Sequence, residues 1–324
     1  MSSEGVTLRV GSRASALAMK QTHMIVDMLQ ANEPEATFDI VQVVTHGDRF
    51  RDKPIHEMGD TLARGIFNTA LEESILSGEA DFTTCSFKDV QSDLRPNLTA
   101  VSVGEREDHR DVLVTKHGTT LAGLPEGAVI ATSSPRRVSQ LKAFRADLRF
   151  VPLRGNVTTR VRREAERYDG VVLAAAGLLR LGLEAHISEF IDEEILLPAP
   201  AQAAMGCEYR SDDTATAQRI AAIVHPNTEA CVKLEKAMLV KLSGGCFAPI
   251  GVLAQPKGKN ILLRCRIAPL DGSRIVAAQT TLPAKASPEE QNALLDEVYN
   301  QIQEQGGIEI VNEVRDALQP GQQN

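Results

Sequence analysis

Apolar and polar positions alternate through Val6-Thr7-Leu8-Arg9-Val10, which reads as a half-buried strand. Ser15 then stands at an N-cap position, and Met24, Ile25, Met28 and Leu29 share one face, so a helix is predicted from Ser15 to about Leu29. Next come a predicted strand over 38–44, a helix over 71–76 closed by Gly78, and a strand over 81–86. The pattern restarts with a strand over 127–132, the turn Ser133-Ser134-Pro135-Arg136-Arg137, a helix over 138–144, and strands over 148–153 and 170–174. Strands interleaved with helices imply α/β units built on a parallel sheet. After Asn227 the order changes to a helix over 229–242, a Gly244-Gly245 loop, strands near 248–254, 261–269 and 274–281, and a last helix from about Pro288. That is the pattern of a smaller α+β unit, and the polar tail from Gln319 is expected to be disordered.

At 324 residues the chain exceeds one comfortable hydrophobic core, so two or three domains are expected. No positively charged leader and no run of roughly 18 apolar residues is found, so a water-soluble protein with no membrane partner is expected. Cys85, Cys207, Cys231, Cys246 and Cys265 are odd in number and scattered without a C-x-x-C pair, which argues for reduced thiols in the cytoplasm rather than disulfides or zinc. A net charge of −8 and the absence of Trp argue against a nucleic-acid partner. Against that acidic average, Arg136, Arg137, Arg154, Arg160, Arg162 and Arg163 crowd one stretch, which points to a local anion site.

Gly11-Ser12-Arg13-Ala14-Ser15 joins a strand to a helix, where free N–H groups and an arginine can receive a carboxylate or phosphate, although a capped helix start explains it equally. Thr132 to Arg137 brings hydroxyls, guanidiniums and a helix N-terminus to a strand's carboxyl end, and Arg154-Gly155-Asn156 repeats that placement. Two such turns suggest a ligand with several carboxylates. Lys88-Asp89 ends another strand; it reads either as a simple ion pair or as a carboxylate placed to stabilise a cationic intermediate. Cys246 sits on a glycine loop, whereas Cys85, Cys207 and Cys265 lie in apolar runs that read as core. No H-E-x-x-H, Walker A or G-x-G-x-x-G motif occurs, so no metal is expected.

In this order, the blocks VGSRASALA, THGD, FKDV, EREDHRDVLV, TSSPRR, LRGNVTTR, AAAGLLRLGL, LPAPAQAAMG and LSGGCFAPIG resemble the porphobilinogen deaminase (hydroxymethylbilane synthase) family from Val10 to about Leu253. The resemblance implies two periplasmic-binding-protein-like α/β domains forming a cleft, 1–105 with 201–222 and 106–200. A smaller α+β domain, 226–318, would present Cys246, and 319–324 would be a disordered tail. It implies a monomeric transferase that joins porphobilinogen molecules, with loss of ammonia, on a dipyrromethane cofactor bound covalently to Cys246. Asp89, with Lys88, would be catalytic. Arg13, Ser15, Lys88, Ser134, Arg136, Arg137, Arg154, Gly155, Asn156 and Arg160 would hold the acetate and propionate groups. Phe67, Arg106 and Arg180, with Arg13, would meet the substrate. Departures from the family pattern are Thr69-Ala70 in place of a Lys-Glu pair, Thr84-Cys85-Ser86-Phe87 in place of V-H-S-M, Pro135 in place of leucine, and Lys236 in place of a common arginine. The competing reading is a non-catalytic, two-lobed trap for organic anions, which would need neither Asp89 nor Cys246.

Overall fold

In a computed structural model the chain is described over residues 5–44, 68–91, 94–153, 155–242 and 248–318. It begins with β1 (Thr7–Ser12), α1 (Ala16–Asn32), β2 (Thr37–Gln42), α2 (Thr69–Leu76), β3 (Phe82–Ser86), β4 (Leu98–Val103) and β5 (Asp111–Val114). The middle carries β6 (Val129–Ala131), α3 (Pro135–Phe144), β7 (Arg149–Val151), β8 (Gly170–Ala174), α4 (Ala175–Arg180), β9 (Glu189–Phe190) and β10 (Met205–Arg210). Last come α5 (Thr214–Ala221), α6 (Pro226–Lys241), β11 (Ile250–Lys257), β12 (Asn260–Ile267), β13 (Val276–Pro283), α7 (Pro288–Glu304) and α8 (Gly307–Leu318).

The strands form sheets in the orders β2-β1-β3-β10-β4, β7-β6-β8-β5-β9 and β11-β12-β13, matching two α/β units and a smaller α+β unit. The expectation of parallel sheets needs correcting. β1 runs parallel to β2 and β3, but β10 is antiparallel to β3 and β4, and β5 is antiparallel to β8 and β9. The reversed strands flank the two crossings between lobes: the chain leaves the first sheet after β4, enters the second as β5, and returns as β10. Side-chain periodicity reports which face a residue occupies and carries no information about strand direction.

Apolar clusters pack each sheet, with separate ones on the two faces of the second. Val10, Ile25, Phe82, Met205 and Cys207 pack the first, and Leu113, Ile130, Leu141, Leu148 and Val172 one face of the second. In the third sheet alternate residues of β12 turn inward onto Leu295, Val298 and Ile302 of α7. The single C-terminal helix expected from Pro288 is two helices, broken at Gly306, whose φ of +75° a helix cannot continue through. Glu208, on β10, is fully buried, and neither of its carboxyl oxygens has a hydrogen-bond partner. Burial pushes its carboxyl up to about 8, so it is mostly protonated at neutral pH.

The return crossing is strained. Ala201 and Ala203 are buried at φ +60° and +74°, a left-handed backbone that costs a Cβ-bearing residue about 1–2 kcal/mol. Charged side chains hold the turn: Ala201 N donates to Glu235 Oε2 (2.5 Å), Arg106 Nε to the Gln202 carbonyl (2.8 Å), and Arg180 Nη2 to the Ala203 carbonyl (2.6 Å). Ala203→Val, β-branched in that conformation, is expected to lower stability by about 2 kcal/mol or more in urea unfolding, while Ala203→Gly should not lower it by more than ~0.5 kcal/mol.

Candidate active site

Each turn singled out in the sequence follows the carboxyl end of a strand. Arg13 and Ser15 follow β1; Lys88 and Asp89 follow β3; Ser134, Arg136 and Arg137 follow β6; Gly155 and Asn156 follow β7; and Arg180 closes α4 after β8. Because β1 is parallel to β3, and β6 to β7 and β8, these turns share one edge within each sheet, the edge at which open α/β sheets bind ligands. The two lobes touch there. A Cβ added to Gly177 of α4 would lie 3.6 Å from Leu17 Cδ2 of α1.

Local chemistry sets each turn. Ser15 caps α1 by accepting from Ala18 N (3.3 Å), and Asn156 Oδ1 accepts from Thr159 N (2.9 Å). Gly155 adopts φ +96°, open to glycine and strained for other residues. Ser134 is the N-cap of α3, with Pro135 at the first helical position where its missing N–H costs nothing, and its hydroxyl makes no capping bond. Arg13 and Arg160 are half-buried. The departure at Phe87 fits its surroundings: the ring lies over Gly206, where an added Cβ would come within 2.2 Å of Phe87 Cδ2.

Residues Phe87–Asp89 form a short 3₁₀ turn that leaves Asp89 exposed and Lys88 half-buried. Lys88 Nζ donates to Gln202 Oε1 (3.3 Å). Burial pushes the Lys88 ammonium down to about 8, opposed by Asp89 beside it.

Arg136 and Arg137 do not project freely from their turn. Both are buried against Asp111, the first residue of β5: Arg136 Nη1 donates to Oδ2 (2.7 Å), and Arg137 Nε and Nη2 to Oδ1 (2.9 and 2.6 Å). Burial works against the Asp111 charge, but Arg136 and Arg137 outweigh it and hold the carboxyl well below the usual carboxylate range. Sequence reasoning missed Asp111 and Gln202. The available signal for Asp111 was an acid opening the apolar run Asp111-Val112-Leu113-Val114, since a carboxylate in a buried strand requires cations. Gln202, in a run of small residues, carried no signal.

Arg106, expected at the substrate, lies on Glu235, with Nη1 and Nη2 donating at 2.6 and 3.1 Å. Arg180 is buried, with its Nε lacking a hydrogen-bond partner; burial pushes it down to about 10, against Glu107. Phe67, Arg154 and Cys246 lie outside the described residues, as do the THGD block and the departures at 60–67. The thiols of Cys85, Cys207, Cys231 and Cys265 are buried and unpaired, and burial raises the pKa of each, which makes them poor nucleophiles.

Residues 8–218 match the family profile described as porphobilinogen deaminase, dipyromethane cofactor binding domain, and residues 229–297 match porphobilinogen deaminase, C-terminal domain. The chain belongs to the porphobilinogen deaminase family. It is 43% identical over 270 residues to the porphobilinogen deaminase of Roseiflexus castenholzii, covering 83% of this chain and 88% of that one. To the porphobilinogen deaminase of Desulfitobacterium hafniense it is 40% identical over 314 residues, 97% of this chain and 99% of that one. Among solved structures it is similar to the periplasmic VFT2 domain of Bordetella pertussis BvgS (TM-score 0.40, 15% identity, 68% of this chain and 86% of that one). Another is an arginine-specific periplasmic binding protein of Salmonella typhimurium (TM-score 0.36, 16% identity, 68% and 92%).

As a porphobilinogen deaminase the chain is a transferase that builds a linear tetrapyrrole from porphobilinogen on a dipyrromethane cofactor. The residues present fit such a group. Its acetate and propionate carboxylates need cations, and Lys88, Arg13 and the Asp111-bound Arg136 and Arg137 stand at the facing strand ends. No helix among the described residues is long and apolar enough to cross a membrane.

Removing the Asp111 charge would leave two buried guanidiniums without their counterion. Asp111→Asn is expected to cost about 3–5 kcal/mol in urea unfolding at neutral pH. The folded-state pKa of Asp111 is depressed, so its contribution is complete above the unfolded value of about 4 and fades as pH falls below it. The parent should therefore lose stability between about pH 4 and 2 more steeply than the Asn variant.

Proposed function

We propose that Cys246 carries the dipyrromethane through a thioether and that Asp89 is the catalytic carboxylate of the condensation. The observation that carries this reading is the meeting of two cation-bearing sheet edges, one of them bearing the exposed Asp89, in a chain whose other cysteines are buried. Lys88, Arg13, Arg136, Arg137, Arg154 and Arg160, with Ser15, Ser134, Gly155 and Asn156, hold the acetate and propionate groups. Arg180 and Phe67 meet the incoming substrate, and Arg106 acts through Glu235 in fixing the turn beneath it. The chain divides into domains 1–105 with 201–222, 106–200 and 226–318. It works as a cytoplasmic monomer with a small-molecule partner and no nucleic acid or membrane; the net charge of −8 supports the exclusion of nucleic acid.

When bound, the dipyrromethane would supply the free pyrrole α-carbon to which the first unit is joined, each later unit being joined to the terminal ring of the chain. The side chains of the protein do the rest. Breaking the C–N bond of porphobilinogen releases ammonia and leaves a cationic azafulvene, whose charge is new at that step. A fixed carboxylate at Asp89 stabilises that cation more than the neutral ground state and thereby lowers the barrier. The same oxygens accept from pyrrole N–H groups and hold the rings in register. Arginine forks bind the planar side-chain carboxylates bidentately and set the distance of the reacting carbon from Asp89.

Two measurements test this. Intact mass of the purified enzyme should show an addition equal to two condensed pyrrole units, mapped to the Cys246 peptide and absent from Cys246→Ser; an adduct on another cysteine, or none in active enzyme, refutes the assignment. Asp89→Asn keeps the shape and removes the charge, so turnover is expected to fall by a hundredfold or more, roughly 3 kcal/mol, with the melting temperature unchanged. Turnover within a few-fold of the parent would place the catalytic group elsewhere.

A further inference from the structure

Gln202 lies in the return crossing between lobes, 1% exposed, between the two left-handed alanines 201 and 203. Its side-chain amide faces both lobes at once. Oε1 accepts from Lys88 Nζ of the first (3.3 Å), while Nε2 donates to the His109 carbonyl (2.8 Å) and to Asp111 Oδ1 of the second (3.2 Å). Asp111 in turn holds Arg136 and Arg137. An unbroken hydrogen-bonded path therefore runs from the ammonium beside Asp89 to the two guanidiniums of the facing sheet. A primary amide suits this position because it presents an acceptor to a cation and a donor to a carboxylate without adding charge. Its own backbone is held as firmly, since its carbonyl accepts from Arg106. Backbone strain of this kind persists where surrounding structure over-determines a conformation, and here it aims one side chain.

We propose that Gln202 is a positioning residue for the condensation, its amide coupling the Lys88 ammonium to the Asp111–Arg136–Arg137 cluster so that the carboxylate-binding cations of both lobes are set as one unit. The inference rests on the reading above that these cations hold substrate and cofactor carboxylates. The groups facing Lys88 are Asp89, Asp111, Arg136 and Arg137. The carboxylates favour its charged form, the guanidiniums oppose it, and the Gln202 carbonyl favours it. Removing that carbonyl should let Lys88 lose its proton at lower pH.

The test uses holoenzyme with dipyrromethane in place and compares Gln202→Met, Gln202→Asn and Gln202→Glu, with Lys88→Met as control. Met keeps the length and loses all three side-chain hydrogen bonds. Its KM for porphobilinogen should rise about tenfold with a smaller change in kcat. The basic limb of kcat/KM, where Lys88 titrates near 8, should move about one unit to lower pH. Asn, one methylene shorter, should show the same changes at smaller size. Glu keeps an acceptor with added negative charge, so its limb should move to higher pH; a residue with a packing role alone would not produce opposite shifts. Variants that fold with KM and pH limb unchanged overturn the proposal, as does a loss of melting temperature without those shifts, or a failure of all three to fold. If Lys88→Met leaves KM unchanged, the site reading itself fails; if it raises KM while the Gln202 variants behave as parent, only the coupling fails.

Discussion

A carboxylate sealed from water must be surrounded by donors, and the way Glu235 meets that requirement fixes how the three sheets come together. It is fully buried on α6 and accepts from Arg106 Nη1 and Nη2, from Ala201 N, and from Ala254 N at 2.7 Å. Those donors come from the segment leaving the first lobe, the segment returning to it, and the third sheet. Losing any one would leave a buried charge short of a partner, a far larger penalty than the loss of an ordinary surface contact. Both crossings are thus pinned at one point, and the strained Ala201–Ala203 turn is held in place from the same side.

A second junction is held by a carboxylate that is only half-buried. Glu193, just after β9, pairs with His109 on the crossing and with Arg264 of β12, and Gln255 Nε2 donates to it at 3.2 Å. The hydrogen bond from His109, together with Arg264, outweighs the cost of burial and pushes the Glu193 carboxyl down to about 2. The contact between the second lobe and the third sheet therefore keeps its negative charge throughout the neutral range. Charge pairs shielded from water in this way add little net stability compared with apolar packing, but they tolerate few alternative arrangements. Pairing internal acids with cations also sets where those cations stand at the strand ends.

The arginines show this. Arg106, Arg136 and Arg137 read along the chain only as basic positions, and the fold ties them to Glu235 and Asp111. Asp111 and the Arg136–Arg137 pair are separated by a strand, a loop and a further strand. Their meeting depends on β5 joining the second sheet antiparallel, beside β8, with β6 on the far side of β8.

Sequence alone determined what depends on neighbours along the chain. The alternation of β1, the helix starts at Ser15 and Ser134, the burial of Cys85, Cys207 and Cys265, and the division into two α/β units and an α+β unit all follow from local periodicity and turn chemistry. The ordered blocks also carried the family. Tertiary structure decided strand direction at β5 and β10, the break at Gly306, and which acid meets which cation. The physical reason is that backbone propensity acts within a few residues, whereas the cost of burying a charge is settled by whatever the fold brings beside it. Glu235 with Arg106, Asp111 with Arg136 and Arg137, and Gln202 between Lys88 and Asp111 are such encounters, and each exists only once the lobes have closed on their crossings.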